Sequence, residues 1–145
     1  MYRIIYKSRS VAPLNWTLVQ DIIMSSEPRN EQSGITGVLL ASETHFLQAL
    51  EGKFEDVNAL FRRIFRDDRH EELTLISFSV IDARLFRGWG MLSIGTFNLN
   101  QEIESELVEK YGEEDGGIRF PLEEWAALSL INDIKLMREL PVWKQ

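Results

Sequence analysis

The apolar positions of the chain change period in a regular order. Tyr2 to Tyr6 is short, rich in β-formers and apolar on both faces at Ile4 and Ile5, which predicts an inner strand. Lys7 to Pro13 reads as a polar connection. Leu14, Leu18, Ile22 and Ile23 then recur at helical spacing and predict a helix of about three turns. Ser25-Ser26-Glu27-Pro28 should end it, because proline disfavours helical backbone in the residue before it. A glycine-punctuated strand from Ile35 to Ala41, a polar turn at Ser42-Glu43-Thr44 and a strand from His45 to Leu50, closed by Glu51-Gly52, predict a hairpin. Val57, Leu60, Phe61, Ile64 and Phe65 form a complete helical stripe. Glu55 and Asp56 at its start and Arg62, Arg63 and Arg66 toward its end suit the helix dipole. Leu73 to Ile81 is a predicted strand with Leu73, Leu75, Ser77, Ser79 and Ile81 on one face. Trp89 to Thr96 is a fifth, with Trp89, Met91, Ser93 and Gly95 on one face.

The order is β-α-β-β-α-β-β, and its first six elements are those of a ferredoxin-like split βαβ unit. The fold class is therefore α+β, a ferredoxin-like βαββαββ sandwich with a five-stranded mixed sheet and two helices on one face. Two C-terminal helices follow. Ile103, Leu107, Val108 and Tyr111 mark the first, Gly112 to Gly117 breaks it, and Pro121 opens the second. The second carries Leu122, Trp125, Ala126, Ser129, Leu130, Asp133 and Ile134 at helical spacing, and Trp125 is expected to pack back on the sheet. The natural division is a core over residues 1–97 and a helical extension over 98–145.

Gln48 breaks the apolar pattern. On a strand, Phe46, Gln48 and Leu50 share one face while Leu47 and Ala49 take the other. A buried amide left unpaired costs roughly 1–3 kcal/mol, so Gln48 needs a hydrogen-bond partner. That partner is either a neighbouring backbone group or tyrosine, or else a polar ligand in a pocket. Tyr6 shares a face with Ile4 and reads first as a core aromatic with a satisfied hydroxyl.

Composition narrows the chemistry. The 145 residues are 44% hydrophobic and 27% charged, the balance of an ordinary globular domain. No apolar run approaches the roughly 18 residues that span a bilayer, and the N-terminus enters a strand pattern directly, so a cytoplasmic protein without signal peptide is expected. Zero cysteines remove thiolate ligands and thiol catalysis, and with only two histidines, His45 and His70, no histidine metal site is expected. Residues 98–145 hold 11 acidic and 5 basic side chains, a net of −6, and residues 1–97 hold 12 and 11, a net of −1. That distribution argues against nucleic acid as a partner, because non-specific binding needs a positive footprint. No phosphate loop, dinucleotide motif, nucleophile elbow or metalloprotease motif is present, and Asp67-Asp68 reads as a solvated cap at a helix exit. A face carrying Tyr6, Asn30, Gln48, Trp89 and Met91 remains, in outline an apolar small-molecule site with a few polar groups.

Those residues resemble a known family. Tyr-x-Ser at Tyr6–Ser8, Asn30, Gly-Ile-Thr-Gly at Gly34–Gly37, Phe-Leu-Gln-x-Leu-Glu-Gly at Phe46–Gly52, Asp-x-Arg-His at Asp67–His70 and Trp-x-Met at Trp89–Met91 resemble the BLUF family of blue-light sensors. The match covers about residues 2–96 in order and spacing, and the helical tail is similar to that of short stand-alone members. The resemblance implies a non-covalently bound flavin between the two core helices, FAD first, with FMN or riboflavin as alternatives. It implies that Asn30 holds the pyrimidine side of the ring and that Gln48 sits between the ring and Tyr6. Ser26, Arg63 and Asp67 match further flavin-contacting positions. In the family, light drives electron and proton transfer from the tyrosine, and the glutamine rearranges its hydrogen bonds. Trp89 and Met91 then report toward the tail. The implied output is contact with a separate effector or response-regulator-type protein, by a homo-oligomer that is no enzyme and binds no membrane. One departure stands out: Arg29 precedes Asn30 where several relatives carry a second Asn.

Two other classes compete with a photoreceptor. The first is a non-photoactive flavin-binding or interaction module on the same fold, which predicts colourless protein or flavin without a photocycle. The second is a small enzyme, for which no nucleophile–base pair stands at a sensible spacing.

Overall fold

The computed structural model of the chain describes residues 1–88 and 91–138, with the backbone alone for residues 25–29, 31, 98 and 138. Its elements follow the predicted order: β1 (Tyr2–Ser10), α1 (Trp16–Ser33), β2 (Thr36–Ala41), β3 (His45–Gly52), α2 (Phe54–Arg66), β4 (His70–Val80) and β5 (Leu92–Gly95). After a 3-10 turn at Thr96–Asn98 come α3 (Gln101–Tyr111), a short hairpin of β6 (Glu113–Glu114) and β7 (Gly117–Ile118), and α4 (Glu124–Arg138). The main sheet runs β4-β1-β3-β2-β5, with every pair antiparallel except β2–β5, so it is the mixed five-stranded sheet expected.

Strand alternation divides the buried side chains between two cores. On one face Ile4, Leu39, Phe46 and Leu50 pack against Val19 and Ile23 of α1 and Val57 and Leu60 of α2. On the other, Ile5, Val38, Leu40, Leu47 and Ala49 pack against Ile103 and Leu107 of α3 and Ala127, Leu130 and Ile134 of α4. The C-terminal helices therefore cover the second face of the sheet. Phe65, at the end of the predicted stripe on α2, is exposed.

The Gly-Ile-Thr-Gly stretch has two physical jobs. Gly34 takes φ +68 as α1 ends, a conformation that L side chains rarely adopt. Gly37 lies so close to β3 that a Cβ there would meet the Ala49 carbonyl oxygen at 2.2 Å.

Several expectations are corrected. β1 continues to Ser10, because Lys7 and Ser8 are buried with partners: Lys7 Nζ donates to Glu114 Oε1 at 2.7 Å and to the Phe120 carbonyl at 2.8 Å. Helix α1 runs through Pro28 to Ser33, with Asn15 capping its start by accepting from Leu18 N at 3.0 Å. Proline costs a helix interior about 3 kcal/mol, and the buried Val19, Ile23 and Asn30 on one face anchor the helix on both sides of it. Val19 rather than the exposed Leu18 completes the buried stripe. β4 starts at His70, and its register shifts where Ile5 faces Ser77 but Tyr6 faces Leu75. Ile76 is the extra residue, so Leu75 and Ser77 point to opposite faces. β5 begins at Leu92 rather than residue 89, and Trp89 lies outside the described residues. Between the tail helices, Asp115-Gly116 at positive φ turns the β6–β7 hairpin, the Asp-Gly signature of a tight turn. Trp125 does not pack on the sheet: it is 71% exposed, and its indole donates to Glu123. Among the described residues no helix is long and apolar enough to cross a membrane, and no group of side chains could hold a metal ion.

Candidate functional site

Between α1 and α2, above the centre of the sheet, lies a cleft of about 600 Å³ counted out to its open mouth. Its wall is mainly apolar, built from Ile22 and Ile23 of α1, Leu39 and Phe46 of the sheet, and Leu60 and Ile64 of α2. Into that wall the fold inserts a small polar set: Tyr6, Asn30, Gln48, Asp67, Arg69 and His70.

Tyr6 and Gln48 are brought together by strand register, as direct partners across β1 and β3. The Tyr6 hydroxyl donates to Gln48 Oε1, and Gln48 Nε2 donates to Met91 Sδ at 3.4 Å. Two strands, β1 and β3, and the segment leading into β5 thus contribute to one chain of contacts. Burial, and then the Asp67 carboxylate, push the Tyr6 pKa well above that of an ordinary phenol, with Arg69 opposing. Tyr6 is a neutral hydrogen-bond donor at any physiological pH.

Asn30 sits in the last turns of α1 and is 1% exposed, yet its Oδ1 has no hydrogen-bond partner among the described residues. A buried amide oxygen in that condition costs roughly 1–3 kcal/mol. It lines the cleft, so a ligand N–H would satisfy it. At the exit of α2, Asp67 is held by Arg69, whose backbone N–H and Nε both reach Oδ1 at 2.9 Å. The Arg69 hydrogen bond keeps the Asp67 carboxyl below its ordinary pKa. His70 donates from Nε2 to the Ile64 carbonyl at 2.5 Å, because a carbonyl can only accept, and in the neutral ring Nδ1 then accepts from Ser8 Oγ at 2.8 Å. The His70 ring stands edge-on to Tyr6 with centroids 6.2 Å apart.

The structure therefore collects Tyr6, Asn30, Gln48, Asp67 and Met91 around one cleft. Arg63 is exposed on α2 and does not line it. The side chains of Ser26 and Trp89 lie outside the described residues. Arg69 and His70 join the cleft without having been singled out; the Asp-x-Arg-His pattern at the helix exit was their only signal. Asp67, read from sequence as a solvated cap, is half turned into the cleft by its tie to Arg69.

An apolar cleft between two helices, with an amide oxygen unpaired among the described residues on its wall and a tyrosine–amide pair on its floor, defines an α+β module for a flat ligand with a hydrogen-bonding edge. Residues 1–92 match the family described as "BLUF: Sensors of blue-light using FAD". The chain belongs to that family, and its cofactor is a flavin. It is 34% identical over 91 residues to the photoactivated adenylate cyclase subunit alpha of Euglena gracilis, a match covering 61% of this chain and 9% of that protein. It is 36% identical over 73 residues to the blue light- and temperature-regulated antirepressor BluF of Escherichia coli K12, covering 50% of this chain and 18% of that protein. The chain thus spans under a fifth of the length of either relative. The dark-state structure of the BLUF protein BlrB superposes with a TM-score of 0.75 at 28% identity, covering 93% of this chain and 95% of that one.

The described residues fit a flavin. The orphaned Asn30 oxygen supplies an acceptor for a ring N–H, and the apolar wall suits a flat aromatic ring system.

Proposed function

We propose that the chain is a blue-light photoreceptor whose switch is the Tyr6–Gln48–Met91 chain, with residues 1–97 as the flavin-binding unit and 98–145 as the element that passes the signal on. Bound flavin supplies the absorption of blue light and, once excited, an acceptor for one electron and one proton. Asn30 orients the ring edge through its unpaired amide oxygen, while Ile22, Ile23, Leu60 and Ile64 exclude water from the faces. Asp67 and, from the rim, Ser26 and Arg63 would serve the flavin's outer portion. FAD is the first candidate, with FMN or riboflavin retaining the same ring contacts.

Tyr6 is the electron donor. Its raised pKa holds the phenolic proton in place until an electron leaves. The electron would go to the flavin, and the proton, relayed through the Gln48 amide whose oxygen already accepts its hydrogen bond, would end on the same acceptor. A Gln amide offers one acceptor and two donors, and rotation exchanges them without moving the backbone. In the starting arrangement Oε1 faces Tyr6 and Nε2 faces Met91. Rotation breaks the Met91 contact and presents an N–H where an acceptor had been. Met91, with Trp89 beside it in sequence, would carry the change into β5 and on to the tail helices. The output would be contact with a separate effector or response-regulator-type protein, by a homo-oligomer without enzymatic activity of its own.

The observation that carries this function is the Tyr6–Gln48–Met91 chain at the wall of the cleft. An absorption spectrum of the flavin-loaded protein, before and after blue illumination, tests it. A red shift of the flavin band that reverses in darkness is expected. Bound flavin with an unmoved band would leave a flavin-binding interaction module in place of a photoreceptor.

A further inference from the structure

On the face of the sheet opposite the cleft, a second polar cluster sits in the core. Arg3 and Glu51 are direct partners across β1 and β3. Glu51 is 0% exposed, and its carboxylate takes Arg3 Nε at 2.9 Å, Leu85 N at 3.1 Å and Phe86 N at 2.9 Å. Arg84 adds a second staple, donating to Thr36 Oγ1 at 2.7 Å and to the Glu51 carbonyl at 3.2 Å. The loop after β4 is thus fixed to β3 through one glutamate, three residues beyond Gln48, and that loop leads to Met91. Arg3 reaches the other way as well, with a guanidinium nitrogen 4.0 Å from Glu124 Oε1 in the first turn of α4.

Stability alone does not explain this cluster. A buried ion pair loses about as much in desolvation as it gains in attraction, and apolar replacement of such pairs is often neutral. What the pair contributes is geometry. One carboxylate ties together the strand of Gln48, the segment before Met91 and, through Arg3, the start of α4.

We propose that the Arg3–Glu51 pair is the junction through which a change at the Gln48–Met91 contact reaches α4. The inference rests on the photoreceptor function proposed above. Glu51 is a positioning residue: it touches neither the cleft wall nor the ligand. When Gln48 lets go of Met91, the displacement bears on Leu85 and Phe86, whose two backbone N–H groups Glu51 holds. Arg3, sharing that carboxylate, moves relative to Glu124, so α4 has one arrangement for each state of the switch.

Hydrogen–deuterium exchange of α4, measured in darkness and under blue light alongside the flavin spectrum, tests the junction. In the parent chain, amides in the first turns of α4 should change exchange rate on illumination by at least about fivefold, the low end of coupling between allosteric sites. Glu51→Gln keeps shape but removes the charge and one acceptor. It should retain the dark spectrum and the red shift while losing most of the light-dependent change in α4. Glu124→Gln, at the half-exposed start of α4, should also reduce that change and leave the red shift intact. A full light response of α4 in both variants, or a parent chain that shifts red with α4 unmoved, overturns the junction and leaves the photoreceptor standing. A parent chain with bound flavin and no red shift overturns the photoreceptor, and the junction with it.

Discussion

Replacing Gln48 by Leu tests the switch where its energetics can be worked from the structure. Leucine fits the apolar neighbours Leu39, Phe46 and Leu50, which share its core, so packing changes little. The loss falls on Tyr6, whose buried hydroxyl donates to Gln48 and, among the described residues, to no other group. A buried hydroxyl stripped of its partner costs roughly 1–3 kcal/mol, and Tyr6→Phe strands the Gln48 oxygen at a similar cost. Removing both partners cancels the two penalties, because apolar groups of the same shape leave nothing unsatisfied. Urea unfolding of the flavin-free proteins should therefore show each single variant destabilised by about 1–3 kcal/mol, and the double variant destabilised by clearly less than the sum, with a coupling above about 0.5 kcal/mol. The optical half of the experiment uses the same variants loaded with flavin. Gln48→Leu should bind flavin and lose the red shift; Tyr6→Phe should absorb light normally but fail to complete the photocycle. A normal red shift in Gln48→Leu, or strictly additive unfolding energies, would refute the reasoning.

Asn30→Leu should act in opposite directions on the two states of the protein. It removes an unpaired buried amide oxygen, so the flavin-free fold should be unchanged or more stable, while flavin binding measured by fluorescence quenching should weaken roughly 5- to 150-fold, the equivalent of about 1–3 kcal/mol. Gly37→Ala places a Cβ at 2.2 Å from the Ala49 carbonyl oxygen, backbone against backbone, and should cost about 3 kcal/mol or more in urea unfolding; a loss below 1 kcal/mol would mean the strands separate more easily than their pairing implies. His45 has its pKa lowered from the usual 6.5 by burial first, with Glu114 and Asp115 opposing and Lys7 and Arg9 assisting. The unfolded chain therefore takes up that proton first as pH falls. The His45 contribution is complete above pH 6.5 and declines below it, so unfolding free energy should drop between pH 6.5 and the lowered folded value, and His45→Gln should flatten that part of the profile.

Much of the fold was legible in the sequence because the residues that set it act locally. The stripe on α2 and the alternation around Gln48 each specify one face, and the structure keeps those faces. The glycines of Gly-Ile-Thr-Gly were legible as punctuation, though not their separate tasks: a left-handed end to α1 at Gly34 and a close strand approach at Gly37. What was not legible depends on distant partners. Lys7 looks like a loop residue until Glu114 and the Phe120 carbonyl, more than a hundred positions away, take its ammonium. Pro28 looks like a stop until burial on both sides of it outweighs one lost hydrogen bond. The bulge at Ile76 inverts the face of half a strand, which no alternation pattern can register. The Asp-Gly hairpin signal at Asp115-Gly116 was present but flanked by strands of only two residues, too short to read by alternation.

The candidate site divides along the same line. Gln48 stood out as a polar residue set in an apolar pattern, and Tyr6, Asn30 and Met91 through the motifs that resemble the family; the fold gathers all four at the cleft. Arg69 and His70 follow a helix exit, where charged residues are the norm, and only the pairing of β4 with β1 brings them to the cleft. Glu51 was equally hidden, an acid at the end of a strand that becomes the most deeply buried charge on the opposite face. The two faces of one sheet treat Asn30 and Glu51 differently. The cleft face leaves the Asn30 amide oxygen unsatisfied among the described residues, where a ligand N–H would complete it. The tail face satisfies both oxygens of a buried carboxylate from within the chain, so any displacement there must be shared among the strand, the loop and the guanidinium that hold it. A site open to a ligand on one face and a buried ion pair tied to the loop and α4 on the other are the two features that the proposed junction would couple.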